Sequence, residues 1–288
     1  MLGMPLLAKM HLVVPVTNEA GIGNTLKGLI TALSLTDDAT IQCNYSAMMG
    51  NFTNVLDERH ICKDITKYDT FSTCRFLVLK TEEDVQQDLP TEISCYTIPD
   101  MSNPKFHSLF SIKSMIDWYY NKSLIANVVY ERILRGIDKI VWSNVVLSEV
   151  ARTQANVYSN LKNGRVMGVS VRTWTAVHER NINREYSTEK YVNAINDAVK
   201  MAQNDGTCID CVFISYDNHV VAPQYASVLS SFPVISYVKP AHVTELQCAV
   251  IKMLVLSKTD YFVCNRISTF SELVYWFNRC RQKVFTVC

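Results

Sequence analysis

Arg172, Asp217 and the Ser268-Thr269 pair share a setting in the chain. Arg172 and Asp217 directly follow the short apolar, β-branched runs Val166–Val171 and Val212–Tyr216, and Ser268-Thr269 follows Tyr261–Cys264 after Asn265-Arg-Ile. The run Met10–Val16 is followed in the same way by Thr17-Asn-Glu19-Ala-Gly21-Ile-Gly23-Asn24. Arg172 offers a planar fork of donors that suits a diphosphate, and equally suits a surface ion pair. Asp217 can accept hydrogen bonds from a base or ribose, or cap a turn. Ser268 and Thr269 offer hydroxyl and backbone donors to a phosphate. Thr269 with Glu272 also has capping-box spacing, and both roles can hold together, with Glu272 serving mainly the cap. The Gly21-Ile-Gly23 turn lets backbone N–H groups approach an anion at a helix N-terminus, or simply makes a tight strand-to-helix turn. It is not the dinucleotide fingerprint, because Leu26 stands where a third glycine is needed, and no Gly-Lys-Ser/Thr follows it. Glu19, and His178 with Glu179 in the polar loop after Arg172, are acid–base candidates or solvated loop residues. Trp174 and Trp276 read as packing residues.

These positions gain meaning from the elements around them. Arg165–Arg172, Cys211–Asp217, Pro233–Val238, Tyr261–Cys264 and Lys283–Val287 read as strands. Helical spacing runs over Thr188–Gln203, which Asp205-Gly206 ends, over a segment after Pro223, from Thr244 to Ser257, and from Thr269 to about Arg279. Strict alternation of apolar strands with helices predicts a parallel, doubly wound sheet. The first half opens alike, with strands at Met10–Val16 and Thr40–Cys43 around a helix at Asn24–Leu35, in which Gly28 is a packing glycine. Phe76–Leu79 and Ile93–Thr97 are candidate strands. Ser108 to about Leu161 is mostly helical, with a break near Gly136. The stretch Asn160–Gly164 is the candidate linker between domains 1–163 and 164–288. In open α/β sheets ligands bind outside the carboxyl ends of the strands, which is where these polar groups fall.

Composition narrows the classes. The 288 residues include 9 Gly and 8 Pro, against roughly 7% and 5% in average usage, which excludes collagen-like and linker-rich chains. A net charge of +1 leaves no basic surface for general nucleic-acid binding. The 10 Cys show no framework spacing, and Cys208 with Cys211 lacks the second pair of a zinc ribbon, so core packing is their expected role. No run reaches the roughly 18 apolar residues of a membrane span. The apolar start lacks a basic leader region and reads as a first strand. A soluble, cytoplasmic chain is the expectation.

The residues singled out resemble the superfamily of fucosyltransferases that includes α-1,2-, α-1,6-, nodulation and protein O-fucosyltransferases, over nearly the whole chain. Gly21-Ile-Gly23-Asn24-Thr-Leu-Lys-Gly28 resembles its glycine loop and helix, and Gly168-Val-Ser-Val-Arg172-Thr-Trp174 its first donor motif. Phe213-Ile-Ser-Tyr-Asp217-Asn218 resembles the second, and Met253 to Glu272 the third and most specific. The resemblance implies a GT-B fold, with two Rossmann-like domains facing a cleft and the C-terminal one binding a GDP-sugar. It implies inverting transfer of fucose from GDP-β-L-fucose to a hydroxyl of a glycan or other acceptor, with no cofactor or metal required. Carried over residue by residue, Arg172 neutralises the diphosphate and Asp217 holds the guanosine. Ser268 and Thr269, with Phe270 beside them, bind phosphate. Gly21, Gly23 and Asn24 form the loop that closes on the donor. The first motif often reads His-x-Arg-Arg, whereas this chain has Ser170-Val-Arg172-Thr173. With Ser170 at the donor-contacting His position, a transferase using another GDP-sugar is the first alternative. A non-catalytic nucleotide-binding protein of the same fold is the second. Glu19 is the first candidate for the base that activates the acceptor, with His178 and Glu179 behind it.

Overall fold

The computed structural model describes residues 12–14, 22–35, 37, 39–42, 52–62, 127–173, 187–266 and 268–287. The chain forms two compact units, one comprising 1–145 with 244–247, the other 146–243 with 248–288. The division falls at Val145/Val146, upstream of the stretch 160–164. The predicted strands Phe76–Leu79 and Ile93–Thr97 lie outside the described residues.

In the first unit, β1 (Leu12–Val14), β2 (Ala39–Gln42) and β3 (Ile61–Cys62) form a parallel sheet in that order. Helix α1 (Ile22–Leu35) begins two residues before the expected start. Ile22 is buried with Leu26, Leu29, Ile30 and Leu33, so the apolar stripe reaches back one turn and draws Gly23 into the helix. Gly23 is therefore a residue of the first helical turn rather than of the strand-to-helix turn. Helix α2 (Asn127–Asp138) includes Gly136 and ends two residues beyond it, so the expected break near Gly136 falls at residues 139–143, before the next helix starts at Asn144. A Cβ at Gly136 would collide with the backbone carbonyl of Ile30, so this glycine is the contact at which α1 and α2 cross. Lys139 then donates to the Leu33 carbonyl at 2.8 Å, placing its charge at the C-terminus of α1. His60 lies buried, its Nε2 accepting from Val141 N–H at 3.1 Å and its Nδ1 3.4 Å from the Ala39 carbonyl.

Helix α3 (Asn144–Tyr158) leads into the second unit, a five-stranded parallel sheet. Its strands are β4 (Arg165–Val171), β5 (Ile209–Tyr216), β6 (Val234–Ile235), β7 (Tyr261–Asn265) and β8 (Lys283–Val287), in the order β6-β5-β4-β7-β8. The connections are α4 (Thr188–Asn204), α5 (Glu245–Leu256) and α6 (Thr269–Phe277). A 3-10 helix at His219–Tyr225 holds Pro223 inside it, so the helical segment expected after Pro223 lies mostly before it. One face of β4, β5 and β7 packs Met167, Val169, Val171, Ile214, Tyr216 and Val263 against Tyr191, Ile195 and Ala198 of α4. The alternate residues face the layer of α5, where a Cβ at Gly168 would meet Thr259 Oγ1 at 2.6 Å and Leu256 Cδ2 at 3.0 Å.

The ends of these helices follow local rules. Thr244 and Gln247 form a reciprocal capping box at the start of α5, with Thr244 N–H to Gln247 Oε1 at 2.9 Å and Gln247 N–H to Thr244 Oγ1 at 3.2 Å. The cap of α6 is Ser268, one residue earlier than the Thr269/Glu272 spacing suggests. Helix α6 stops at Phe277, two residues short of expectation, and the chain turns through Arg279 and Cys280 at φ 60° and 55°.

The stretch 160–164 is not a free linker. The backbone N–H groups of Lys162, Asn163 and Gly164 converge on Asp210 Oδ2 at 2.8, 3.0 and 2.5 Å. These three donors hold the Asp210 carboxyl down at about 2. Cys208 donates its thiol to the same carboxylate, which pushes its pKa up, and burial pushes Cys211 up to about 11. Both shifts favour the thiol form; Cys211 is buried as core packing expects, whereas Cys208 is exposed and does not join the core. Among the described residues no helix is long and apolar enough to cross a membrane.

Two outcomes test this account. Gly136→Ala forces Ile30 away and should lower unfolding stability by about 1–3 kcal/mol, read from a denaturant titration. Asp210 stabilises the fold fully above its ordinary 3.8, and the contribution is lost as pH falls through 3.8 toward about 2. Asp210→Asn should therefore flatten the acid limb of the unfolding-midpoint profile, and an unaltered limb would contradict the turn's dependence on this charge.

Candidate functional site

The sheet order places a topological switch beside β4. The chain leaves β4 for β5 on one side and later fills the other side with β7. Ligands of open parallel sheets bind at the carboxyl edge of such a switch. Register makes that edge level, because Ser170 pairs with both Ser215 and Cys264, and Val171 pairs with Tyr216. Arg172, Asp217 and Ser268 therefore leave adjacent strands at one end of one sheet.

Each of the three is held in place. The backbone N–H of Arg172 donates to the hydroxyl of Tyr191 at 3.1 Å. Tyr191 sits on α4 with 1% exposure, so the start of the Arg172 loop is tied to the core. The Asp217 carboxylate accepts from Thr173 N–H and from Thr173 Oγ1, each at 2.8 Å. Asp217 N–H donates to the Val171 carbonyl at 3.2 Å. One carboxylate thus joins the exits of β4 and β5.

On the other side, Ser268 is the N-cap of α6, its Oγ accepting from Ser271 N–H at 3.4 Å. Thr269 and Phe270 open the nine-residue helix, and first-turn amides have no intrahelical acceptor. Their donors and the helix dipole make this end attractive to an anion. Ser170 is buried within β4, level with Ser215 and Cys264. The unit therefore presents a guanidinium-bearing loop, a carboxylate and a helix N-terminus along one edge, an arrangement fitted to a nucleoside diphosphate.

Of the other predicted residues, Glu19, Gly21, Trp174, His178 and Glu179 lie outside the described residues. Gly23 and Asn24 belong to α1 in the first unit. Among the described residues no group of three or more His, Cys, Asp or Glu stands in a metal-holding arrangement.

Several supporting residues escape sequence reasoning. Tyr191 and Thr173 act through backbone contacts that no spacing announces. Beneath the edge, Thr259 Oγ1 donates to the Leu256 carbonyl at 2.8 Å and accepts from Gln282 Nε2 at 2.8 Å. Asn278 Nδ2 donates to the Ser257 carbonyl at 2.8 Å. This buried polar knot fixes the entry to β7 against Gly168. Its one visible signal is polar Ser257-Lys-Thr259 directly after an apolar helix.

Solved structures share this fold. The structure of NodZ α-1,6-fucosyltransferase soaked with GDP-fucose matches with a TM-score of 0.56 at 15% identity, over 93% of each chain. Fucosyltransferase NodZ from Bradyrhizobium matches at 0.54 and 16% identity, over 93% of this chain and 92% of that one. Arabidopsis thaliana FUT1 in complex with GDP matches at 0.53 and 13% identity, over 94% of this chain and 69% of that one. No protein-family profile matches the sequence, and no curated protein sequence does.

Replacing Ser268 by Ala removes the cap of α6 and should cost about 1 kcal/mol of stability, measured by denaturant unfolding.

Proposed function

We infer the function from the fold, which is that of the solved fucosyltransferases, with the expected α/β class and its parallel sheet. We propose that the chain is itself a fucosyltransferase, taking fucose from GDP-β-L-fucose to a hydroxyl of a glycan or other acceptor with inversion and without a required metal. The observation that carries this reading is the alignment of Arg172, Asp217 and the α6 N-terminus on one sheet edge. The fold it shares with a protein soaked with GDP-fucose and another in complex with GDP adds support.

The chemistry asks for this arrangement. As the bond from the sugar to the diphosphate breaks, the sugar becomes oxocarbenium-like and negative charge grows on the departing diphosphate. Preorganised donors stabilise that charge most where it develops. Arg172 supplies a fixed cation, while Ser268, Thr269 and Phe270 supply a hydroxyl and backbone N–H donors. Asp217 keeps the Arg172 loop in place through Thr173 and accepts from the nucleoside. Ser170 contributes to the donor edge at the end of β4. The base that takes the proton of the acceptor hydroxyl is Glu19, with His178 the second candidate.

A transferase of another GDP-sugar is the second reading, favoured by Ser170 at the position where the motif often has His. Arg172→Ala should lower kcat/KM with GDP-fucose by at least a hundredfold, about 3 kcal/mol, while its thermal unfolding matches wild type. Wild-type turnover by that variant would remove Arg172 from the mechanism. Assaying GDP-fucose beside other GDP-sugars in the same experiment separates the two readings.

A further inference from the structure

Beyond Glu245 in its first turn, helix α5 carries a single charge, set in an apolar run. From Cys248 to Leu256 every residue is apolar except Lys252. Val250, Ile251 and Met253 around it are fully buried, while Lys252 is half-buried. A lysine in such a stripe keeps its stem against apolar surface and extends its ammonium to a polar edge. Here that edge is the carboxyl end of the second sheet. The Lys252 ammonium donates to the Tyr216 carbonyl at 3.3 Å, on the last residue of β5 and directly before Asp217. Among the described residues it has this one acceptor, and an ammonium carries three donors.

The position relative to the diphosphate site decides what Lys252 can meet. Neighbouring strands lie about 4.8 Å apart, so the ends of β5 and β7, which flank β4, are about 10 Å apart. A diphosphate seated on Arg172 and the α6 N-terminus lies over β4 and β7. A nucleoside extending from it across the edge toward β5 arrives where Asp217 and Lys252 stand. Guanine has a face of hydrogen-bond donors that includes its amino group, and an acceptor edge formed by O6 and N7. A carboxylate on Asp217 and an ammonium held at the carbonyl of the preceding Tyr216 are complementary to that pairing. Adenine places an amino group where guanine has O6, and an ammonium cannot accept from it.

Resting on the donor reading above, we propose that Lys252 is a specificity-determining residue that donates to the O6/N7 edge of the guanine base. Thr173, standing where the motif often has a second Arg, is tied to Asp217, so Lys252 also restores positive charge to this edge from a different element.

Calorimetry of the intact chain with GDP, inosine diphosphate and ADP tests the assignment, because inosine diphosphate keeps O6 and N7 and lacks the amino group. Wild type should favour GDP and inosine diphosphate over ADP. Lys252→Met should lower affinity for GDP and inosine diphosphate by about ten- to a hundredfold and leave ADP unchanged, while Lys252→Arg keeps the preference. A Lys252→Met variant that retains the wild-type preference, or weakens all three nucleotides alike, overturns the role of Lys252 while the donor reading stands. Wild-type protein that binds no guanine nucleotide overturns both together. Lys252→Gln serves the same comparison if the Met variant does not fold.

Discussion

The hydrogen-bonded ladder that holds β4 between β5 and β7 is the interaction on which the candidate site rests. Parallel strands in register finish at the same level, and their exits then differ only in the side chains they carry. Arg172, Asp217 and Ser268 are dozens of residues apart in the chain and become neighbours through this ladder. Gly168 is what permits it on the α5 side, because any side chain there would strike Thr259. Thr259 in turn is anchored by Leu256 and Gln282, so packing beneath the sheet and polar groups above it form one continuous construction.

Carboxylates do much of the organising in the second unit. Asp210 gathers three backbone donors and shapes the entry to β4, while Asp217 gathers the backbone and hydroxyl of Thr173 and shapes its exit. Both ends of the central strand are thus fixed by aspartates, one on the neighbouring β5 and one directly after it. Glu149 plays a comparable part away from this edge, joining Arg152 and the Tyr237 hydroxyl at 2.5 and 2.9 Å. The Glu149 carboxylate and burial together push the Tyr237 phenol well above its ordinary range. Such groups act by bringing donors together at distances that apolar packing alone does not set.

Glycine is used sparingly and for distinct purposes. Gly136 allows two helices to cross at backbone contact, Gly168 admits Thr259, and Gly164 fits beside Cys208 and Asp210. Gly206, at φ 70°, ends α4 in the left-handed region that glycine adopts without strain. Gly136 stands in the last turn of α2, just before the chain breaks at 139–143, where glycine costs about 1 kcal/mol against alanine. The contact with Ile30 outweighs that propensity because no other residue fits.

By itself the sequence determined the alternation of strands and helices in the second unit, its parallel sheet, and the placement of Arg172, Asp217 and Ser268 at strand exits. Those features depend on local periodicity and turn chemistry, which lie within a few residues of each position. The tertiary structure alone decided the strand order, the shift of the α6 cap to Ser268, the extension of α1 back to Ile22, and the anchoring of 160–164 to Asp210. It also brought Tyr191 beneath Arg172, Thr173 onto Asp217 and Lys252 to the end of β5. These depend on contacts between distant segments, where shape and hydrogen-bond geometry rather than residue spacing choose the partner.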